Sequence, residues 1–272
     1  MNTLERLNYK TKDFKVIQAM MYRHAGINLH DGKQELVYSR LAKRVRMLGF
    51  NNFSDYCSRL SEDSEEVLHC INSMTTNVTS FFRERHHFEF LAKNILSKPD
   101  KRSLRIWSAG CSSGEEPYSI AFTCAGFPHV STEIVATDLD SDIIRKASNG
   151  VYQMKDVNGL SDLELKSWFL RGRGKREGLV RVIDSFRQMV KYSQLNLKEN
   201  WQHDEPFDVI FCRNVMIYFD SEFRSRLIDR FHHHLKPGGH LILGHSESLF
   251  GLSQKFRVAG KTIHQKLGEV AA

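Results

Sequence analysis

Apolar residues recur at helical spacing through the first 75 residues of the chain. The clearest case is residues 34–48, whose apolar side chains fall on one helical stripe, with a glycine following as a C-terminal cap: Leu36, Leu41, Val45 and Leu48, then Gly49. Two further amphipathic helices are predicted over 53–60 and 64–74, and strand-like alternation does not occur in this part of the sequence. We therefore predict a small helical domain over residues 1–75.

From residue 104 onward short apolar runs alternate with amphipathic stretches. The runs predict strands over 104–109, 133–137, 190–194, 207–212 and 240–244. Helices are predicted between them, over 115–126, after a cap at Ser141, and through Leu227 up to a stop at Lys236-Pro237-Gly238-Gly239. This alternation is typical of a mostly parallel, doubly wound α/β sheet, and the last two runs, 256–259 and 262–265, predict an antiparallel hairpin at its edge.

The segment 168–188 interrupts this alternation. Two short strand-like runs flank a turn rich in glycine and arginine, RGRGKREG. Gly172, Gly174 and Gly178 are not followed by a helix, so a β-hairpin with a mobile tip explains them better than a phosphate loop does. We predict a sheet domain over 76–272 that includes a small antiparallel β-subdomain at about 166–190.

Composition narrows the class of protein. The chain has 272 residues, of which 41% are hydrophobic and 26% charged, as expected for a soluble globular protein. It lacks an apolar run of about 18 residues and an apolar N-terminal leader, so we expect a cytoplasmic protein. Five scattered cysteines without a CxxC pair predict reduced thiols rather than disulfides or zinc. The net charge of +7 leaves nucleic acid and an acidic protein surface open as partners.

The stretch 104–118, LRIWSAGCSSGEEPY, predicts the first unit of a nucleotide-binding sheet: a strand, a glycine turn and a helix start. Phosphates usually bind at such a helix start, but the acid pair Glu115 and Glu116 would repel them. The pair suits a nucleoside that carries positive charge, as S-adenosylmethionine does with its sulfonium and ammonium. The alternative is that both acids only complement the helix dipole.

Polar residues also follow the later strands, where ligands of open α/β sheets bind. Asp138 ends the second strand and could accept hydrogen bonds from ribose hydroxyls, the alternative being a surface acid in a turn. Arg213 and Asn214 follow the strand 207–212 and should face the same pocket, with Tyr218 as a further candidate. Asn196 follows another strand and could contact adenine, with an ordinary asparagine turn as the alternative.

Other constellations are less specific. The linker 75–84, TTNVTSFFRE, is too apolar to be a free linker, and its Arg83 could hold a carboxylate bidentately or form a domain-interface ion pair. Residues 232–234 are three consecutive histidines, which point in different directions on a helix, so we expect no metal site there. The sequence contains no HExxH motif and no GxxxxGK[ST] phosphate loop.

Five motifs together resemble one family. They are TTNVTSFFRE, SAGCSSGEEPYS, ATDLD, FCRNVMIYF and LKPGGHLILGHSES, and they occur in the order found in chemotaxis receptor methyltransferases of the CheR type. The likeness covers nearly the whole chain. It implies a class I methyltransferase fold and transfer of a methyl group from S-adenosylmethionine to glutamate side chains of transmembrane chemoreceptors. The product would be a γ-glutamyl methyl ester.

The resemblance also implies roles for individual residues. It places the cofactor against Asn77, Thr79, Arg83, Glu116, Asp138, Asn196, Leu197, Arg213 and Asn214. Of the acid pair, Glu116 would bind the methionine ammonium and Glu115 would be a helix-start residue. Asp138 would bind ribose, and Asn196 with Leu197 would lie near adenine. Arg83 and Tyr218 would be the catalytic residues, near the sulfonium and the incoming carboxylate.

Substrate contacts are expected from two places. Arg40, Lys43 and Arg46 can share one face of the helix 34–48, and a basic face complements the acids that flank methylation sites on receptor helices. The alternative is a solvated helix face. In some family members the β-subdomain pairs with a peptide at the receptor C-terminus, and the tip RGRGKREG resembles theirs. We expect a monomer.

The implied chemistry needs no general base, because a glutamate with a pKa of about 4.3 is already ionised at neutral pH. Alignment and removal of water from the carboxylate would supply the catalysis. One rival is a non-catalytic S-adenosylmethionine-binding module, which the intact set of candidate residues argues against. The other is a nucleic-acid methyltransferase, which the lack of an NPPY-type motif and the compact basic patch argue against.

Overall fold

The structure is a computed structural model that describes residues 5–75, 77–100, 103–249, 251 and 253–268. Its backbone contacts divide the chain into two compact units. The helical unit is Met1–Thr76 with Tyr218–Asp220, and the sheet unit is Asn77–Ile217 with Ser221–Ala272. Within the described residues, no helix has the length and apolar character needed to cross a membrane.

In the described part of the helical unit there are four α-helices: α1 Thr11–Ala25, α2 Gln34–Met47, α3 Phe53–Glu62 and α4 Ser64–Met74. They pack around fully buried side chains, among them Phe14, Leu41 and Tyr56. The predicted helices are confirmed, although α1 was not foreseen. Gly49 lies beyond the end of α2 with φ of 81°, a conformation that glycine adopts without steric cost, as the predicted cap requires.

Among its described residues, the sheet unit contains ten strands and six α-helices. The strands are β1 Ser103–Ala109, β2 Ser131–Asp138, β3 Val151–Gln153, β4 Phe169–Arg171, β5 Leu179–Val182, β6 Val190–Gln194, β7 Phe207–Cys212, β8 Leu235–Leu243, β9 Phe256–Gly260 and β10 Ile263–Lys266. The helices are α5 His86–Phe90, which continues as a wider π-helical turn over Leu91–Leu96, then α6 Glu115–Ala125, α7 Ser141–Asn149, α8 Asp162–Trp168, α9 Asp184–Arg187 and α10 Ser221–His234.

Seven of the strands make one sheet in the order β6-β2-β1-β7-β8-β10-β9. The first five are parallel, and β10 runs antiparallel to both of its neighbours. The predicted doubly wound sheet and its edge hairpin are therefore confirmed. The chain moves outward from β1 to β2 and returns on the other side of β1 with β7. Such a reversal of strand order opens a crevice at the carboxyl ends of these strands, where ligands bind.

The β-subdomain is a separate antiparallel sheet in the order β3-β5-β4. The sequence prediction placed it at about 166–190 and missed β3, which is only three residues long and buries Tyr152 alone among them. The glycine- and arginine-rich turn joins β4 to β5, and Gly172 donates its N–H to Leu179 O across it at 2.9 Å. The segment is thus a hairpin, as predicted, rather than a phosphate loop.

Two local predictions are wrong. Asp140, not Ser141, caps α7, because its Oδ1 accepts hydrogen bonds from the backbone N–H groups of Asp142 and Ile143 at 2.9 and 3.1 Å. The strand predicted to begin at 240 begins earlier, at Leu235. The helix α10 ends at His234, as the Lys-Pro-Gly-Gly stop predicted, but that segment lies inside β8, where a register irregularity in the pairing with β7 accommodates it.

Candidate cofactor site

The turn between β1 and α6 is tightly folded onto the neighbouring strand ends. Gly110 and Gly114 have φ of 90° and 97°, in the left-handed region that favours glycine. The N–H groups of Gly110 and Cys111 both donate to Thr137 O, at 2.8 and 2.9 Å. A Cβ at Gly110 would lie 2.4 Å from Val215 Cγ2. The turn therefore packs directly against the segment that follows β7.

Asp138, at the end of β2, is tied to this turn. Its Oδ2 accepts a hydrogen bond from the Ser112 N–H at 2.8 Å, and its Oδ1 accepts one from the Asp140 N–H at 3.1 Å. Burial raises the pKa of this carboxyl, and the backbone N–H groups oppose that shift. Each oxygen keeps a further lone pair, so the carboxylate fits the two hydroxyls of a ribose.

The two glutamates that begin α6 have different partners. Glu115 Oε2 accepts a hydrogen bond from Ser113 Oγ at 2.6 Å, within its own turn, and burial raises its pKa. Glu116 faces the strand ends, where its Oε1 accepts from Ser108 Oγ at 2.7 Å and its Oε2 from Arg213 Nη1 at 2.9 Å. Both of its oxygens can accept another donor, so Glu116 fits an ammonium group better than Glu115 does.

Arg213 lies at the centre of the buried charges. Its side chain is 2% exposed and contacts Glu116, the Arg83 carbonyl and, at 3.5 Å, Glu84 Oε1. Burial alone would raise the pKa of Glu84, but the Arg213 charge and a bond from His245 lower it. Arg213 Nε is buried and has no hydrogen-bond partner among the described residues, so the site retains an unused donor. One guanidinium thus balances two carboxylates.

The three linker residues predicted to contact the cofactor lie in the sheet unit. Asn77 Nδ2 donates to Asp140 Oδ2 at 3.3 Å, and its Oδ1 accepts from Ser112 Oγ at 3.4 Å, so Asn77 joins the glycine turn. Thr79 follows two residues later in the chain and is half-buried. Arg83 donates through Nη1 to Val78 O at 2.8 Å, a local contact that leaves its predicted role as a carboxylate clamp a prediction.

Asn196 has the contacts of an asparagine turn. Its Oδ1 accepts from the Lys198 N–H at 3.0 Å, and its Nδ2 donates to Glu199 Oε1 at 3.3 Å. Leu197, beside it, is buried. The structure therefore shows the alternative considered for Asn196, and its contact with adenine stays a prediction from the resemblance.

Asn214 and Tyr218 lie after β7 but differ in their surroundings. Asn214 has φ of 59°, and its N–H donates to Glu247 Oε2 at 2.8 Å. Glu247 was missed by sequence reasoning, although it lies within the motif LKPGGHLILGHSES. An acid just beyond a buried strand was the available signal. Tyr218 groups with the helical unit, where its carbonyl accepts from the Asn28 N–H at 2.8 Å.

The basic residues of α2 do not form a uniform charged face. Arg40 donates to the carbonyls of Ser73 and Thr75, at 3.3 and 2.8 Å, at the end of α4. Arg46 donates to Glu5 O at 2.9 Å, whereas Lys43 is exposed. Two of the three predicted substrate contacts therefore also bind carbonyls of their own domain.

One cluster resembles a metal site in composition. Glu84, His86 and His87 place one possible ligand atom each within 4.8 Å of one another. The Arg213 guanidinium lies 3.5 Å from Glu84 and brings a positive charge to this cluster, which disfavours a cation there. The prediction of no metal stays a prediction.

Two family models match the chain in succession. "CheR methyltransferase, all-alpha domain" matches residues 12–75, and "CheR methyltransferase, SAM binding domain" matches residues 77–264. Curated relatives match over nearly the full length. A chemotaxis protein methyltransferase of Klebsiella aerogenes is 42% identical, covering 96% of this chain and 91% of the relative. That of Escherichia coli is 41% identical, covering 96% and 92%. Chemotaxis protein methyltransferase 2 of Pseudomonas aeruginosa is 40% identical, covering 96% and 95%.

The strand reversal, the glycine turn and the buried acids at the strand ends agree with these matches. The cofactor predicted from the sequence, S-adenosylmethionine, is the one that the matched domain binds. The chain belongs to the CheR methyltransferase family and is an S-adenosylmethionine-dependent chemotaxis protein methyltransferase with a class I methyltransferase fold.

Proposed function

We propose that this methyltransferase esterifies specific glutamate side chains on the cytoplasmic helices of transmembrane chemoreceptors, in sensory adaptation. The observation that carries the proposal is the charge arrangement at the strand ends. Glu116 and Asp138 offer carboxylate oxygens to a cationic nucleoside, while Arg213 holds Glu116 in place at 2.9 Å. The relatives supply the substrate class, since their name is chemotaxis protein methyltransferase.

The protein's part in the reaction is to bind, orient and exclude water. When bound, S-adenosylmethionine would supply a methyl group on a positively charged sulfur, and its transfer to a substrate carboxylate oxygen would form a C–O bond, break the methyl C–S bond and leave neutral S-adenosylhomocysteine. A glutamate with a pKa of about 4.3 arrives ionised at neutral pH, so no proton has to be removed. Glu116 would orient the ammonium end and Asp138 the ribose. Catalysis then rests on alignment and desolvation, with Arg83 and Tyr218 proposed next to the reacting groups.

Substrate recognition is proposed for two other surfaces. Lys43, exposed on α2, would attract the acids that flank a methylated glutamate, with Arg40 and Arg46 adding charge to the same helix. The β-subdomain has two edge strands, β3 and β4, and either could accept a receptor C-terminal peptide as an added strand. We expect the enzyme to act as a cytoplasmic monomer, which analytical ultracentrifugation would test for its oligomeric part.

The direct test is transfer of a tritiated methyl group from S-adenosylmethionine to chemoreceptor-containing membranes. Carboxyl methyl esters hydrolyse in mild alkali, so the proposal expects protein-bound counts that are released as methanol. Counts that survive alkali would contradict esterification and favour an N- or S-methylated product. Labelled nucleic acid, or binding of S-adenosylhomocysteine without any transfer, would instead support one of the two rival functions.

A further inference from the structure

We propose that Glu247 is a positioning residue that fixes the segment 213–216 for cofactor binding. Glu247 as a residue is 6% exposed, and its carboxylate accepts four backbone hydrogen bonds. They come from the N–H groups of Gly244 at 2.7 Å, Asn214 at 2.8 Å, Met216 at 2.8 Å and Val215 at 3.0 Å. This inference rests on S-adenosylmethionine as cofactor and not on glutamate as the methylated group.

We call these four hydrogen bonds to Glu247 the clamp. The segment 213–216 needs it because the chain leaves the sheet abruptly there. β7 ends at Cys212, and Asn214 then adopts φ of 59°, which is unfavourable for a residue with a side chain. The three successive N–H groups of Asn214, Val215 and Met216 point to one place, where a single carboxylate satisfies them all. Burial raises the pKa of Glu247, and these N–H groups oppose the shift by stabilising the ionised form.

The clamp reaches the cofactor site through its two ends. On one side Arg213 precedes the clamped residues and donates to Glu116 at 2.9 Å. On the other side Val215 fills the space beside Gly110, where a Cβ would meet Val215 Cγ2 at 2.4 Å. Since the carboxylate already accepts four hydrogen bonds, it has no lone pair left for a ligand, so it acts through Arg213, Asn214 and the glycine turn.

Gly244 gives a second way to disturb the clamp without removing its charge. A Cβ on Gly244 would lie 2.8 Å from Asn214 N and 2.9 Å from Glu247 Oε2. Gly244→Ala therefore forces apart the two groups that the clamp joins. Gly159 is the matched control, because a Cβ there meets no atom within 4 Å.

The experiment measures S-adenosylhomocysteine affinity by calorimetry for Glu247→Gln, Gly244→Ala and Gly159→Ala, without any receptor present. A glutamine amide would direct its NH2 group at backbone donors, so we expect Glu247→Gln and Gly244→Ala to weaken binding at least tenfold. Gly159→Ala should bind as the wild type does. Deuterium exchange should speed up at the amides of residues 214–216 in the first two variants alone.

A purely stabilising role for Glu247 gives a different result. Ile228→Val, a buried truncation in α10, supplies a variant with reduced stability and an intact clamp. Wild-type affinity in folded Glu247→Gln, or an equal loss in Ile228→Val, would overturn the proposal. If Glu247→Gln does not fold, Gly244→Ala decides alone: unchanged affinity with unchanged exchange at residues 214–216 overturns it. A failure of receptor methylation with normal binding would count against the proposed substrate instead.

Discussion

The strand-end site and the basic helix α2 are both rich in charge, but they use it differently. At the site, Glu116, Asp138 and Arg213 are held by one another or by backbone N–H groups, and the Arg213 side chain is 2% exposed. On α2, Arg40 and Arg46 donate to carbonyls of the same domain, and Lys43 extends into solvent. Buried charges with fixed partners can orient a ligand, whereas an exposed charge attracts one from a distance.

Removing the central cation should have the largest effect. Arg213→Met leaves Glu116 and Glu84 buried without a counter-charge, and breaking such a pair costs about 3–5 kcal/mol of unfolding free energy. Denaturant unfolding measures this loss. Adding Glu116→Gln to Arg213→Met should recover part of it, because one stranded charge is then gone. If Arg213→Met alone had the wild-type unfolding free energy, the buried ion pairs of Arg213 would not contribute to stability.

Asp138→Asn should affect binding more than folding. We expect affinity for S-adenosylhomocysteine to fall by about 30- to 100-fold, or about 2–2.7 kcal/mol, since the carboxylate loses its ability to accept from both ribose hydroxyls. Calorimetry gives the affinity. Asp229→Asn, in an exposed pair with Lys255, is the control and should bind normally. Equal affinities for all three proteins would remove Asp138 from the site.

Acid should destabilise the protein through His87, a buried neighbour of these charges. Burial, reinforced by the Arg213 charge, lowers the pKa of His87 to about 3. An unfolded histidine titrates near a pKa of about 6.5, so the unfolded state binds more protons between these values and stability falls as pH drops. From pH 7 to 5 this histidine should contribute a loss of about 2 kcal/mol.

Unfolding by guanidinium chloride at pH 7 and pH 5 checks that loss. His87→Gln keeps a polar group of similar reach but cannot be protonated, so its stability should change less between the two pH values. The same pH dependence in His87→Gln and the wild type would mean that other groups cause the acid sensitivity.

The smallest effect should come from the exposed charge on α2. Lys43→Glu should raise the KM for receptor methylation about two- to tenfold at low salt, while the unfolding free energy stays within about 0.5 kcal/mol. Arg40→Glu should instead lower stability by about 1–2 kcal/mol, because it removes donors to two carbonyls. A KM that Lys43→Glu leaves unchanged would favour the alternative that this is only a solvated helix face.

Much of the fold and part of the site could be predicted from the sequence. Strand and helix patterns gave the doubly wound sheet, and the ends of α4, β6 and β7 were predicted to the residue. Asp138 was predicted to face the site because it ends β2, and a parallel sheet brings the carboxyl ends of its strands to one edge. These features depend on residues close together in the chain, where periodicity is informative.

What the sequence could not give were partners chosen in three dimensions. Glu247 meets the amides of 214–216 only after β7 and β8 have paired, and Arg40 meets the end of α4 only after the helices have packed. β3 was missed because three residues carry too little pattern. The cap of α7 was misassigned because Asp140 and Ser141 are both good capping residues. The path of the chain after β2 determines that Asp140 reaches the free N–H groups.

The central claim is that Glu116 recognises the ammonium group of the cofactor while Arg213 holds it in place. Calorimetry of wild type and Glu116→Gln with two ligands tests it: S-adenosylhomocysteine, and 5′-methylthioadenosine, which has the nucleoside and the sulfur but no amino acid group. We predict that Glu116→Gln weakens S-adenosylhomocysteine at least tenfold and leaves 5′-methylthioadenosine nearly unchanged. An equal loss for both ligands, or no loss for either, would contradict the claim.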